Sequence, residues 1–407
     1  MVMLPRGRIP GGSVELFWNP GAARGEPYPT DLESLFKGKD SAQARACVSA
    51  WPGYEATPLR SLPGNAMSAG VGALWYKDES GRFGLGSFKA LGGAYAVARV
   101  LADELGVDEA ALMRGEHRSE TGSFTMACAS DGNHGKSVAW AASLTGCRAV
   151  VYLSDPVPAV WVEAIRELGA EVVVVAGSYE DAVARCVADA ESNDWWLMTD
   201  SAWAGHEELP RYVMEGYTVL VAEALEQLPP ESELTHVFVQ GGVGGLAGAV
   251  CAHLWDALGG ARPLLIVVES QAAACLQESA RAGALGSLEA VEETVMTGLA
   301  CGTPSSLAWR VLDTGADAYV SISDLHTSDA MRALAGGAGD PPVVAGASGA
   351  AGLGAVRAIA SDQPAREALG LSRQSTVLVI GTEGASDPAL YRRTVGRTAE
   401  QILSQPA

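Results

Sequence analysis

The 407-residue sequence predicts an α/β protein built of two parallel-sheet domains, each three layers deep. Three observations carry this expectation. Short apolar runs rich in β-branched residues alternate with helical segments of about ten residues, the pattern of parallel βαβ units. Several of these runs are apolar throughout rather than alternating, as strands covered on both faces must be. No apolar run approaches the ~18 residues of a membrane span, and no stretch repeats at the period of a solenoid.

In chain order, residues 1–60 are rich in Pro, Gly and Arg and are expected as an irregular arm, in the manner of a segment that wraps a partner. Ala73–Lys77 reads as a strand and is followed by a turn-rich loop, after which Ser87 is placed to cap a helix running from Phe88 to Val100. Strand–helix units follow: Phe124–Ala129 with Gly135–Leu144, Arg148–Leu153 with Ala159–Leu168, and Glu171–Val175 with Tyr179–Ala190. Trp195–Met198 begins a fourth strand. Beyond Glu207 a long helix covers Tyr217–Leu228 and stops at Pro229-Pro230, because proline cannot continue it. His236–Gln240 is a strand entering a glycine loop and a helix to about Leu258; Leu264–Glu269 and Thr376–Ile380 are further buried strands. The expected division is a large domain of residues 1–94 plus 206–407 and a small inserted βα domain of residues 95–205.

Composition narrows the function. The chain is 48% hydrophobic and 19% charged, with 28 Lys+Arg against 48 Asp+Glu, a formal charge of −20. Such a surface repels phosphate backbones and acidic lipid, so neither nucleic acid nor membrane is expected as a partner, while a small anion in a locally positive pocket remains compatible. The seven cysteines (47, 128, 147, 186, 251, 275 and 301) show no CxxC or Cys/His ligand spacing, so no metal site is expected. Their odd number fits reduced thiols, and the N-terminus lacks a signal-peptide pattern; a cytoplasmic protein is expected.

Four segments carry candidate chemistry. Lys89 follows Gly86-Ser-Phe88 at the start of a helix, where the positive end of the macrodipole favours the neutral amine that Schiff-base chemistry requires. A solvated surface lysine is the competing reading. Gly241-Gly242-Val243-Gly244-Gly245 lies between a strand and a helix, where converging amides and the helix dipole make a phosphate cradle. The same stretch contains Gly242-x-Gly244-x-x-Ala247 with Glu269 ending the next strand, a weak dinucleotide fingerprint that leaves a nicotinamide oxidoreductase as a remote alternative. Ser130-Asp131-Gly132-Asn133-His134 opens another helix and reads equally well as turn and cap residues. Asp200-Ser-Ala-Trp203-Ala-Gly-His206 is a polar loop that means little alone.

In combination these segments resemble the fold-type II pyridoxal phosphate (PLP) enzymes, the group of tryptophan synthase β and the serine/threonine dehydratases. The closer resemblance is to the diaminopropionate ammonia-lyase family. It covers residues 73–395 through Lys77–Lys89, Ser130–Gly135, Asp200–Trp203, Gly216-Tyr217, Gly241–Leu246, Met296–Gly302 and Thr382–Gly384. The resemblance implies that Lys89 binds the PLP aldehyde, that Gly241, Gly242, Val243, Gly244 and Gly245 cradle its phosphate, and that Asn133 meets its phenolic oxygen. It places Phe88 beside the cofactor and the neutral hydroxyl of Thr382 at the pyridine nitrogen. Lys89, Asp131 and Asp200 are the implied catalytic residues, with Lys89 the base for an L-substrate and Asp131 for a D-substrate; Ser130, His134, Trp203 and His206 surround the substrate.

The implied reaction is α,β-elimination of 2,3-diaminopropionate to pyruvate and ammonia, in a homodimer. Asp131 suits a cationic β-ammonium where dehydratases usually carry a small residue. A serine/threonine-type dehydratase or a β-replacement enzyme is the alternative on the same scaffold. The sequence departs from the family pattern at Ala204 and His206, where Glu and Tyr are expected, at Ala347 for Glu, at Ser270 for Pro, and around Gly384–Pro388.

Overall fold

A computed structural model describes residues 7–8, 14–36, 38–130, 132–155, 157–337 and 339–404. In chain order the strands are β1 Gly7–Arg8, β2 Glu15–Trp18, β3 Leu59–Ser61, β4 Ala73–Asp78, β5 Thr125–Ala129, β6 Arg148–Asp155, β7 Glu171–Ala176, β8 Trp196–Leu197, β9 His236–Gln240, β10 Leu264–Ser270, β11 Ala318–Ile322 and β12 Thr376–Gly381. They fall into two sheets, one in each of two compact units.

The first unit comprises Met1–Gly38, Ala56–Gly81 and Leu220–Ala407. Its sheet has the order β1-β2-β11-β10-β9-β12-β4-β3, in which β11, β10, β9, β12 and β4 are mutually parallel. β9 and β11 are buried at every position. Their unbroken apolar runs reflect helices on both faces, since parallel sheets need crossover connections that cover them. Between residues 270 and 375, where no element is predicted, lie β11 and the helices Ser306–Gly315, Asp324–Gly336 and Ala347–Ala360. The last of these buries its Ala- and Gly-rich length in the core with Leu353, Val356 and Ile359.

The expected irregular arm is corrected by this sheet. Glu15–Trp18 pairs antiparallel with β11 through Trp18 opposite Ala318 and with β1 on its other side, so the arm adds two strands at the edge of the protein's own sheet. Asn19 then donates through Nδ2 to the carbonyls of Asp313 at 2.7 Å and Ala316 at 2.8 Å, pinning the chain as it leaves. Gly38–Ser49 is helical as well. Pro and Gly content masked a strand that tertiary pairing, not local propensity, creates.

The second unit comprises Lys39–Glu55 and Arg82–Val219, and its sheet is β7-β6-β5-β8, all parallel. It therefore starts earlier and ends later than the expected 95–205 insert, and takes in Lys89. The helix bearing that lysine runs Lys89–Leu105, not from a Ser87 cap: Phe88 occupies the N-cap without a side-chain bond, and Ser87 is buried. The long helix Glu208–Gln227 matches its expected extent.

Two glycines let these helices approach. A Cβ on Gly216 would stand 2.3 Å from the Leu91 carbonyl oxygen, and one on Gly92 would stand 2.4 Å from Tyr217 Cε1. Neither distance admits a side chain. Gly216→Ala is expected to destabilise the fold by about 1–3 kcal/mol through overpacking, measured as a lower urea midpoint at unchanged slope.

Candidate active site

In the second unit the close helix contact brings Lys89, Asp200, His134, Phe88 and Tyr217 together. Lys89 leaves the first position of its helix and Nζ forms an ion pair with Asp200 Oδ2. Burial pushes the Asp200 carboxyl up, but the Lys89 ammonium, His134 and the Lys89 hydrogen bond outweigh it and hold the carboxyl at about 2. The expectation of a lysine made neutral by the helix terminus is thus modified: here the amine stands as a cation beside a carboxylate.

His134 is buried at the start of the helix Asn133–Thr145, and Nε2 donates to the Met198 carbonyl at 3.0 Å. Burial lowers its pKa, and the Lys89 charge adds to that, while Asp200 opposes it. The imidazole is therefore neutral, with a buried Nδ1 that has no hydrogen-bond partner and acts as an acceptor. Ser130 has a structural use. Its Oγ accepts from the amides of Gly132 at 2.9 Å and Gly135 at 2.8 Å, fixing the loop into which Asn133 and His134 are built.

Phe88 packs on Tyr217 with ring centroids 4.6 Å apart, and Lys89 Nζ lies 5.4 Å from the Phe88 centroid. Trp203 and His206 form a separate pair, centroids 4.9 Å apart, closed by the His206 amide on the Trp203 carbonyl at 2.8 Å. His206 thus keeps an aromatic contact in the place where tyrosine is expected. Asp131 lies outside the described residues.

In the first unit the glycine loop leaves the carboxyl end of β9 and enters the helix Gly245–Leu258. Gly242 and Gly244 have φ of +57° and +99°, conformations that side chains with a Cβ resist. The Gly244 amide closes the turn on the Gly241 carbonyl at 2.9 Å, and Ser305 N holds the Val243 carbonyl at 2.8 Å. The first-turn amides of the helix then point outward, as those of any helix start must. β12 neighbours β9, and the buried Thr382 follows directly on its last residue. Gln240 Nε2 bridges to the carbonyls of Ile380 and Ser348, each at 2.8 Å. Its Oε1 and the Ser348 hydroxyl are buried without partners. The carboxyl end of a parallel sheet is where open α/β folds place ligands, and this one carries an amide-rich turn and unpartnered polar atoms.

The dinucleotide alternative fails on geometry. Glu269, the acid meant for a ribose, is fully buried and accepts from the amides of Leu276 at 2.9 Å and Gln277 at 2.7 Å. Burial, partly offset by those amides, pushes its carboxyl up to about 8. It caps the helix Cys275–Ala282 instead.

Sequence reasoning assigned no part to Tyr217, although Gly216-Tyr217 stands among the resembling motifs. It also missed the fully buried Lys77–Glu223 ion pair at 2.7 Å, which anchors β4 to the helix Glu208–Gln227 through the carbonyl of Thr57 at 2.6 Å. A lysine inside an otherwise apolar strand was the available signal. Among the described residues, no group of side chains could hold a metal ion, and no helix is long and apolar enough to cross a membrane.

Residues 50–383 match the family described as pyridoxal-phosphate dependent enzyme. The diaminopropionate ammonia-lyase of Escherichia coli (strain K12) is 38% identical over 90% of this chain and 93% of its own. The crystal structure of the Escherichia coli enzyme in complex with an aminoacrylate-PLP azomethine reaction intermediate superposes with a TM-score of 0.86 at 36% identity, covering 95% of this chain and 97% of that one. Its complex with D-serine gives 0.87 at 36% identity, over 95% and 98%.

The electrostatics of the Lys89 pair give a signed prediction. The Asp200 carboxyl titrates at about 2 in the folded protein against 3.8 ordinarily, so its contribution to stability is present above 3.8 and is lost as pH falls through about 2. The stability difference between wild type and Asp200→Asn, followed by chemical denaturation, is expected to be level from neutral pH to about 4 and to close towards pH ~2.

Proposed function

This chain belongs to the pyridoxal-phosphate dependent enzyme family, and from that premise we propose that it is a carbon–nitrogen lyase acting on 2,3-diaminopropionate, D or L, or a close β-substituted analogue. One diaminopropionate and one water give pyruvate and two ammonia molecules. The observation that carries this reading is the Lys89–Asp200 ion pair, an amine held and oriented by an ionised carboxylate.

The residues fit the cofactor. Gly242 and Gly244 turn at positive φ without a Cβ, and the Ser348 and Gln240 oxygens beside β12 are buried polar atoms awaiting a partner. When bound, pyridoxal phosphate supplies an aldehyde that condenses with amines and a ring that draws off the electrons left when Cα loses its proton. Lys89 Nζ would be the amine that holds the aldehyde, and the amides of Gly241, Gly242, Val243, Gly244 and Gly245 would take the phosphate. Asn133 would donate to the phenolic oxygen, Phe88 would lie beside the ring, and Thr382 would offer the pyridine nitrogen a neutral hydroxyl.

The protein's own groups then manage protons. Asp200 stays ionised and holds Lys89 in place through the ion pair, so the amine that must give up its proton to solvent or substrate before it bonds is already oriented. The Lys89 amine would remove the Cα proton of the L-isomer, and Asp131 would do so for the D-isomer. An amine leaves only when protonated, so the pocket must hold an ammonium, the task for which the carboxylates of Asp131 and Asp200 are suited. His134, neutral and with Nδ1 as acceptor, receives a substrate N–H, and Ser130, Trp203 and His206 complete the pocket. On this reading the enzyme is a cytoplasmic homodimer whose partner is a small amino acid.

Elimination from a β-hydroxy amino acid is the second reading, favoured by the D-serine complex of the relative. Mass-detected product analysis over D- and L-β-substituted alanines, including serine and O-acetylserine, separates the two. Diaminopropionate is expected to be the best substrate, and Lys89→Ala is expected to abolish turnover together with the yellow chromophore. Full activity of that variant, or a borohydride-trapped adduct on another lysine, overturns the assignment. Asp131→Asn is expected to slow the D-isomer by ~10²–10⁴-fold and the L-isomer much less; equal losses in kcat would show that Asp131 serves no single face.

A further inference from the structure

Tyr217 is the one aromatic hydroxyl in the Lys89 cluster, and the fold goes to some length to put it there. Tyr217 is 1% exposed, packed at a tilt against Phe88 and seated where Gly92 has no side chain. Gly216, the residue before it, sits against the Leu91 carbonyl, so the helix carrying Tyr217 lies close against the helix carrying Lys89. Lys89 Nζ is 5.9 Å from the Tyr217 ring centroid. The buried phenol lies within reach of the Lys89 amine, and no other described group hydrogen-bonds it. Packing alone would be met by phenylalanine, which avoids burying an unsatisfied hydroxyl.

We propose that Tyr217 is a positioning residue whose phenolic oxygen accepts a hydrogen bond from the Lys89 amine and aims its lone pair at the substrate Cα. This deepens the reading above and rests on Lys89 being the cofactor-bearing lysine. A neutral lysine amine has two N–H groups and one lone pair. With one N–H on the Asp200 carboxylate and the other on the Tyr217 oxygen, the lone pair is left facing the remaining direction. Proton removal then forms a third N–H bond on Lys89 while the Cα–H bond breaks and leaves its electron pair on carbon. Two acceptors also stabilise the ammonium so formed, which returns its proton in the next step.

Among the described residues, the charged and titratable groups that face the amine are Asp200, His134 and Tyr217 itself. His134 is neutral, and Asp200 is ionised across the working range. Burial raises the phenol well above its ordinary value, although the Lys89 charge opposes this, so Tyr217 stays un-ionised and keeps its oxygen as an acceptor.

The test uses full-length holoenzyme carrying Tyr217→Phe, which keeps the ring and deletes only the hydroxyl. The expected result is an unchanged thermal midpoint, unchanged borohydride trapping at Lys89, and kcat for the L-isomer lowered ~10–100-fold with KM altered much less. The pH midpoint of the bound chromophore's absorbance is expected to fall, because removing an acceptor from a cationic nitrogen makes its proton easier to lose. Tyr217→His, which restores a hydrogen-bonding atom near that place, is expected to recover part of both effects. An unchanged kcat and absorbance titration in Tyr217→Phe overturns the proposal, as does a fall in kcat with no titration shift, or equal deficits in Phe and His. If wild type itself traps no cofactor on Lys89, the family role of that lysine fails instead, a separate outcome.

Discussion

A lysine and an aspartate in contact at the head of a buried helix set the terms for everything else in this protein. The carboxylate stays ionised although burial works against it, because the ammonium beside it is worth more than the lost hydration. Each group lowers the cost of keeping the other half-buried. The pair is therefore a store for one proton, held at a defined atom until a carbonyl arrives to compete for the amine. The helix dipole, which on its own would expel that proton, is the weaker influence in this arrangement.

Backbone closeness rather than side-chain abundance makes the pair possible. The helices Lys89–Leu105 and Glu208–Gln227 meet where Gly92 and Gly216 carry no Cβ, and this lets the Phe88 and Tyr217 rings form an aromatic floor beside the amine. In the first unit the same economy appears at the glycine loop, where positive φ at Gly242 and Gly244 turns the chain from β9 into its helix and leaves amides for an anion. A net charge of −20 makes such local anion sites the more necessary, because the surface as a whole repels what they must hold.

Much of this was legible in the sequence. The alternation of apolar runs and amphipathic segments marked the parallel strands from Ala73 to Gln240, and proline stopped the helix Glu208–Gln227 where expected. The order of Lys89, the Asn133 loop and the glycine loop pointed to the cofactor family, to which the chain belongs. The strand Glu15–Trp18 was not legible, because its four residues owe their conformation to β11, some 300 positions away. Glu269 was misread for a related reason: its position after a strand suits a ribose ligand, but the fold turns Leu276 and Gln277 back onto it.

Local pattern thus determined the strand–helix alternation, the loop glycines and the candidate lysine, since each depends on residues close in the chain and on backbone preferences they carry themselves. Tertiary structure alone decided that Lys89 meets Asp200, that His134 is neutral with its Nδ1 open, and that Tyr217 shares their company. Those facts depend on burial and on distances between segments more than a hundred residues apart, and electrostatic energies vary with such distances far more steeply than with any property of the residue itself.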